Sequence, residues 1–114
     1  MDVSYSTKIR ESISIKDLET LVKSYGEERI VCNSHTLYRL STKQQGKFTC
    51  ETLKNYLLNS TPILAGIQYN ERYTALYNLD NKEVLRIIFN PKVNEIEVIT
   101  FFIGKKSGIP VVRK

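Results

Sequence analysis

The sequence predicts an α+β domain in which N-terminal helices pack on a four-stranded antiparallel β-meander. Apolar residues recur at helical spacing up to Pro62 and at alternating spacing after it. The alternating runs are joined by turns too short for anything but antiparallel neighbours. The 114 residues, 41% of them hydrophobic, suit one core, so a single domain is expected over 1–114, with 1–30 an extension holding one helix and 104–114 a basic tail.

The first helix is written in SISIKDLETLVKSYG, where Ile15, Leu18, Leu21, Val22 and Tyr25 form one apolar stripe. Ser14 can accept a bond from the unpaired amides of the first turn, and Gly26 tolerates the backbone of a helix stop. After the short apolar run RIVC, a second helix is expected from its cap Ser34 through SHTLYRLSTKQQ, with Leu37 and Leu40 inward. A third occupies TCETLKNYLLNS, capped by Thr49 and burying Leu53, Tyr56 and Leu57; Pro62 forbids its continuation.

Strands are expected at 63–70, 72–79, 83–90 and 95–102, joined at Asn70-Glu71, at Asp80-Asn81 and through PKVN. With two-residue turns at the first two joints and Asn90 opposite Glu95, the helix-covered face holds Ala65, Ile67, Thr74, Leu76, Leu85, Ile87, Phe89, Ile96, Val98 and Thr100. The other face then carries Gln68, Tyr73, Tyr77, Arg86, Ile88, Glu97, Ile99 and Phe101. That mixture is too polar for a core and too apolar for bare exposure. It is expected to be covered by the GIPVV segment, by a second copy of the chain in a homodimer, or by a ligand.

A net charge of +5, from 17 Lys and Arg against 12 Asp and Glu, points to an acidic partner, of which polynucleotide is the commonest. Two cysteines and one histidine are too few for a four-ligand zinc site, and no phosphate-cradling glycine loop occurs, so no metal and no other cofactor is expected. Cys32 and Cys50 read as buried small hydrophobes; pairing them calls for an oxidising or hyperthermophilic compartment. The stretch MDVSYSTKIRESISIK has no apolar signal segment, and no run approaches the roughly 20 residues of a membrane span. A soluble, cytoplasmic protein is expected.

In a helix beginning near Ser34, the single histidine His35 shares a side with Tyr38 and Arg39, three and four residues on. RNA cleavage needs a base for the ribose 2′-hydroxyl, an acid for the leaving 5′-oxygen and a cation for the charge growing on phosphorus-bound oxygens. His35 can perform either proton transfer, Arg39 can fork onto phosphate, and Tyr38 can stack on a base or donate a proton. A solvated helix face would show the same three residues. Tyr73, Tyr77 and Arg86, close together on the expected open face, would form a single-strand platform of stacking rings and backbone-binding charge. Glu95 and Glu97 lack a facing carboxylate and read as solvated.

SHTLYRL, followed by a helix ending at NSTP and a meander closing on EIEVITFF, resembles the small RelE-like and colicin D-like ribonucleases, in particular an uncharacterised prokaryotic branch, over about 31–102. The resemblance implies two helices on a twisted antiparallel sheet, metal-independent RNA cleavage and an antitoxin-like protein partner. Carried over by position, it assigns His35 to the helix histidine, Arg39 to the arginine that follows, Arg86 to a basic strand residue and Thr100 to the final-strand hydroxyl. Thr36 stands where the family has alanine, and the expected register separates Thr100 from Arg86 unless a bulge intervenes. The function so implied is a toxin-like endoribonuclease using acid–base catalysis. The alternatives are a non-catalytic dimeric module for nucleic acid or protein, and a small regulatory protein of a mobile element or virus.

Overall fold

The computed structural model describes residues 8–34, 36–37 and 48–105. Strand β1 (Ile9–Ser12) leads into helix α1 (Ile15–Tyr25), a tight helical turn (Glu27–Arg29) and strand β2 (Ile30–Cys32). Helix α2 (Cys50–Asn59) precedes β3 (Leu64–Gln68), β4 (Tyr73–Asn78), β5 (Glu83–Pro91) and β6 (Ile96–Lys105). All the strands join one six-stranded sheet in the order β1-β3-β4-β5-β6-β2. The class is α+β, and the antiparallel meander forms the middle of the sheet. Its edges were not anticipated: β1 adds antiparallel to β3, and β2 adds parallel to β6.

The helix signals act as the residues suggest. Ser14 Oγ accepts from the Asp17 amide at 3.0 Å, Thr49 Oγ1 accepts from the Thr52 amide at 3.1 Å, and Gly26 leaves α1 with φ 80°. Leu18, Val22, Leu53 and Leu57 are buried, and rings close the layer at Tyr56–Tyr77 (5.3 Å) and Phe48–Phe101 (5.9 Å). Between the helices, Ser34, Thr36 and Leu37 are helical, but Asn33 is the cap in place of Ser34: its side-chain oxygen accepts from the Thr36 amide at 2.8 Å. Thr36, not Leu37, is therefore the residue turned inward, and Leu37 is 52% exposed. Leu40 lies outside the described residues.

Strand β1 carries little sequence signal because only Ile9 of its four residues is apolar and buried. Its partner explains its position. A side chain at Gly66 would meet Ile9 Cγ2 at 2.6 Å and the Glu11 carbonyl oxygen at 2.7 Å, so β1 approaches β3 this closely only across glycine.

The register differs from expectation at three joints. Gln68 and Arg72 close the first turn around three residues, with Glu71 left-handed at φ 68°, and Leu79 and Glu83 close the second around three. Each turn holds one residue more than expected, which turns β4 over. Tyr73, Ala75 and Tyr77 therefore join Leu85, Ile87 and Phe89 under the helices, while Thr74 and Leu76 face away. In the third hairpin Asn90 pairs with Glu97, and a bulge at Ile99 follows, since Phe89 faces Val98 while Ile88 faces Thr100. Phe101 consequently lies in the core and Thr100 on the opposite face.

The face away from α1 and α2 is not open either. Gln68, Thr74, Leu76, Val84 and Ile88 are buried. Tyr77, Ile88 and Phe101, expected on that face for a second copy, the tail or a ligand to cover, are buried within one chain.

Candidate functional site

Two polar groupings occupy the face turned away from the helices. The first starts where β2 ends. Asn33 donates its backbone amide to Val98 O at 3.1 Å, caps the following turn, and hydrogen-bonds the Glu97 carboxylate with its side chain. Thr36 is fully buried, and its hydroxyl lies 2.6 Å from Ile99 O, 2.9 Å from Val98 O and 3.0 Å from Asn33 Oδ1. One hydroxyl proton serves one acceptor at a time, and the shortest approach is to the carbonyl of the bulged residue. The Thr36 hydroxyl thus supplies a donor at the bulge.

Glu97 is drawn into the grouping by Lys92, whose ammonium lies 2.8 Å from its carboxylate. The Lys92 hydrogen bond, together with Asn33 and the nearby charge of Arg72, holds the Glu97 carboxyl below its ordinary range, and the hydrogen bond to Glu97 and its charge hold the Lys92 ammonium above its own, against the opposing charge of Arg72. A carboxyl depressed by folding adds stability above its unfolded pKa, and that stability is lost as pH falls through the folded value. Glu97→Gln should therefore lower denaturation midpoints at neutral pH and leave those at the acid end in place, flattening the acid limb of a pH series. The reading of Glu97 as merely solvated overlooked this pair, because its partners come from β2 and from the β5–β6 turn.

The second grouping is built on Arg86 in β5. Its guanidinium donates to Thr74 Oγ1 at 2.9 Å and to Gln68 Oε1 at 2.8 Å, and Gln68 in turn donates to Asn70 Oδ1 at 3.0 Å. Burial pulls the Arg86 guanidinium below its usual pKa. Because of the bulge, Thr100 lies on the same face as Arg86, and its hydroxyl is buried with no hydrogen-bond partner among the described residues.

Of the residues singled out by sequence, His35, Tyr38 and Arg39 lie outside the described residues. Arg86 is on the face expected for it. Tyr73 and Tyr77 are not: the three-residue turns move them to the helix-covered side, where Tyr73 packs on Phe89 at 5.7 Å and Tyr77 is 1% exposed. They form no stacking platform with Arg86. Burial drives the Tyr77 hydroxyl pKa upward, and that hydroxyl lacks a partner among the described residues. Removing an unsatisfied buried hydroxyl relieves its desolvation cost, so Tyr77→Phe should stabilise the fold by about 1 kcal/mol in a denaturant titration.

Cys32 and Cys50, which read from the sequence as buried hydrophobes or, in an oxidising or hyperthermophilic compartment, as a pair, are joined in a disulfide, with Cα atoms 6.2 Å apart and a sequence separation of 18. The pairing arises because β2 ends beside the start of α2, a proximity that spacing along the chain does not encode. Among the described residues no helix is long and apolar enough to cross a membrane. No family model, curated protein or solved structure matches the chain.

Proposed function

We propose that the chain is a metal-independent RNA-cleaving domain, with its site on the sheet face opposite α1 and α2, beside the turn that follows β2. One observation carries this reading. Asn33 and Thr36, which bracket His35 in sequence, are both tied to β6, and the bulge they sit against brings Thr100 to the face that holds Arg86. Proton transfer demands a fixed approach to the 2′-hydroxyl or the leaving 5′-oxygen, and the residues on either side of His35 in sequence are anchored by these bonds.

In this reading His35 moves the proton, and Arg39 and Arg86 offset charge on the phosphate. Tyr38 positions a base. The net charge of +5 favours the polyanion, and no step calls for a metal ion. The binding-module alternative loses its principal support with the burial of Tyr77 and the core-side position of Tyr73. An antitoxin-like partner remains part of the proposal through the resemblance alone.

The test is incubation of purified protein with mixed RNA in EDTA. Cleavage should leave 2′,3′-cyclic phosphate ends. RNA retained on the protein in a salt-sensitive way but left intact would reject the nuclease reading in favour of a binding module.

A further inference from the structure

We propose that the Cys32–Cys50 bond is a reversible clasp, opened and closed by thiol–disulfide exchange, that sets how firmly the turn after β2 is held to the sheet. The inference does not rest on the nuclease reading. The bond joins the last residue of β2 to the first residue of α2. Both cysteines are half-buried, so a small thiol can reach the sulfurs without dismantling the domain. The hydrophobic core contains neither of them as a member: its buried residues come from both helices, from β2 to β6 and from Phe48, and Cys32 only packs against it. The fold therefore has its own means of staying together when the bond opens.

The position of Cys50 favours exchange. As the first residue of a ten-residue helix it lies at the positive end of the helix dipole, which favours a thiolate there and makes Cys50 the better leaving group. The thiolate of a small thiol such as glutathione attacks Cys32 Sγ; the S–S bond breaks and its electron pair goes to Cys50. A second small thiolate then attacks the sulfur of the first, releasing Cys32 and a small-molecule disulfide. Two electrons enter the protein, and each released sulfur takes a proton to the extent that its pKa dictates. The reverse sequence closes the clasp.

What the clasp controls follows from its neighbours. Residue 33, immediately after Cys32, caps the turn and holds Glu97, while residue 49, immediately before Cys50, caps α2. Strand β2 is a three-residue edge that pairs with β6. Opening the bond removes the covalent tie between that edge and α2.

Hydrogen exchange read by NMR on the full chain tests this, comparing the oxidised protein with protein equilibrated in reduced glutathione. The Asn33, Thr36 and Leu37 amides, which donate to Val98 O, Asn33 Oδ1 and Asn33 O, should exchange at least ten-fold faster in the reduced protein. Chemical shifts of β4 and β5 should not move, and glutathione disulfide should restore the slow exchange. A Cys32→Ser, Cys50→Ser double variant should match the reduced protein and ignore added thiol. The proposal is overturned if those amides are equally protected in both states, if reduction requires denaturant, or if the reduced protein loses the β4 and β5 shifts altogether.

Discussion

His35→Ala is expected to abolish most of the proposed RNA cleavage in EDTA, lowering the rate by about 10²–10⁴-fold, the range supplied by one positioned proton-transfer group. The variant should keep the Asn33 and Thr36 bonds that tie the turn after β2 to β6. His35→Gln shows the same loss, since an amide keeps hydrogen-bonding capacity but cannot exchange a proton near neutral pH. Arg86→Ala acts differently. It strips Thr74 Oγ1 and Gln68 Oε1 of their donor, so it lowers both stability and RNA affinity, whereas Arg39→Ala is expected to lower affinity alone. Undiminished cleavage in His35→Ala would remove this residue from the mechanism, and denaturant midpoints measured alongside separate lost chemistry from lost structure.

Loss of the Cys32–Cys50 bond lowers the unfolding free energy by about 3 kcal/mol, the loop-closure value for a crosslink spanning some 18 residues. The effect arises mainly in the unfolded chain, which regains the freedom the crosslink denied it. Against a total of about 5–15 kcal/mol for a domain, the remaining core is enough to keep the chain folded. Urea titrations with and without reductant measure the change directly. The slope against urea should steepen slightly on reduction, since a chain free of the crosslink exposes more surface when it unfolds. A change well under 1 kcal/mol would mean that the oxidised form carries offsetting strain.

Local signals were legible where they act locally. Ser14, Gly26, Thr49 and Pro62 mark helix ends through bonds or ring constraints confined to a few residues, and the structure bounds α1 and α2 accordingly. The strands were legible as alternation. Their facing was not, because the parity of every strand depends on how many residues its turn contains, and Glu71 adopts a left-handed backbone without being the glycine or asparagine that would have announced it. A single extra residue in each of two turns was enough to exchange the positions of Tyr77 and Leu76. The edge strands were hidden for a different reason. IRES and IVC are too short for a period to be read, and each exists only because a distant strand offers it hydrogen bonds. Arg86 lies on the face that alternation gave it, while the pairing of Glu97 with Lys92 and Asn33 needed the third hairpin and the parallel edge together.

The placement of both edge strands in the first third of the chain governs the order in which the protein can be finished as it is made. The partner of β1 spans residues 64–68, and the partner of β2 begins at residue 96. A growing chain therefore exposes β2, with Cys32 at its end, long before anything exists for it to pair with. The meander, whose neighbours are joined by three- and four-residue turns, can assemble from contacts close in sequence. The parallel edge closes last among the pairings of the sheet, after β6 has emerged. Until then Cys32 and Cys50 can meet one another or other thiols without the sheet to align them, and only the arrival of β6 fixes Cys32 at the end of a paired strand.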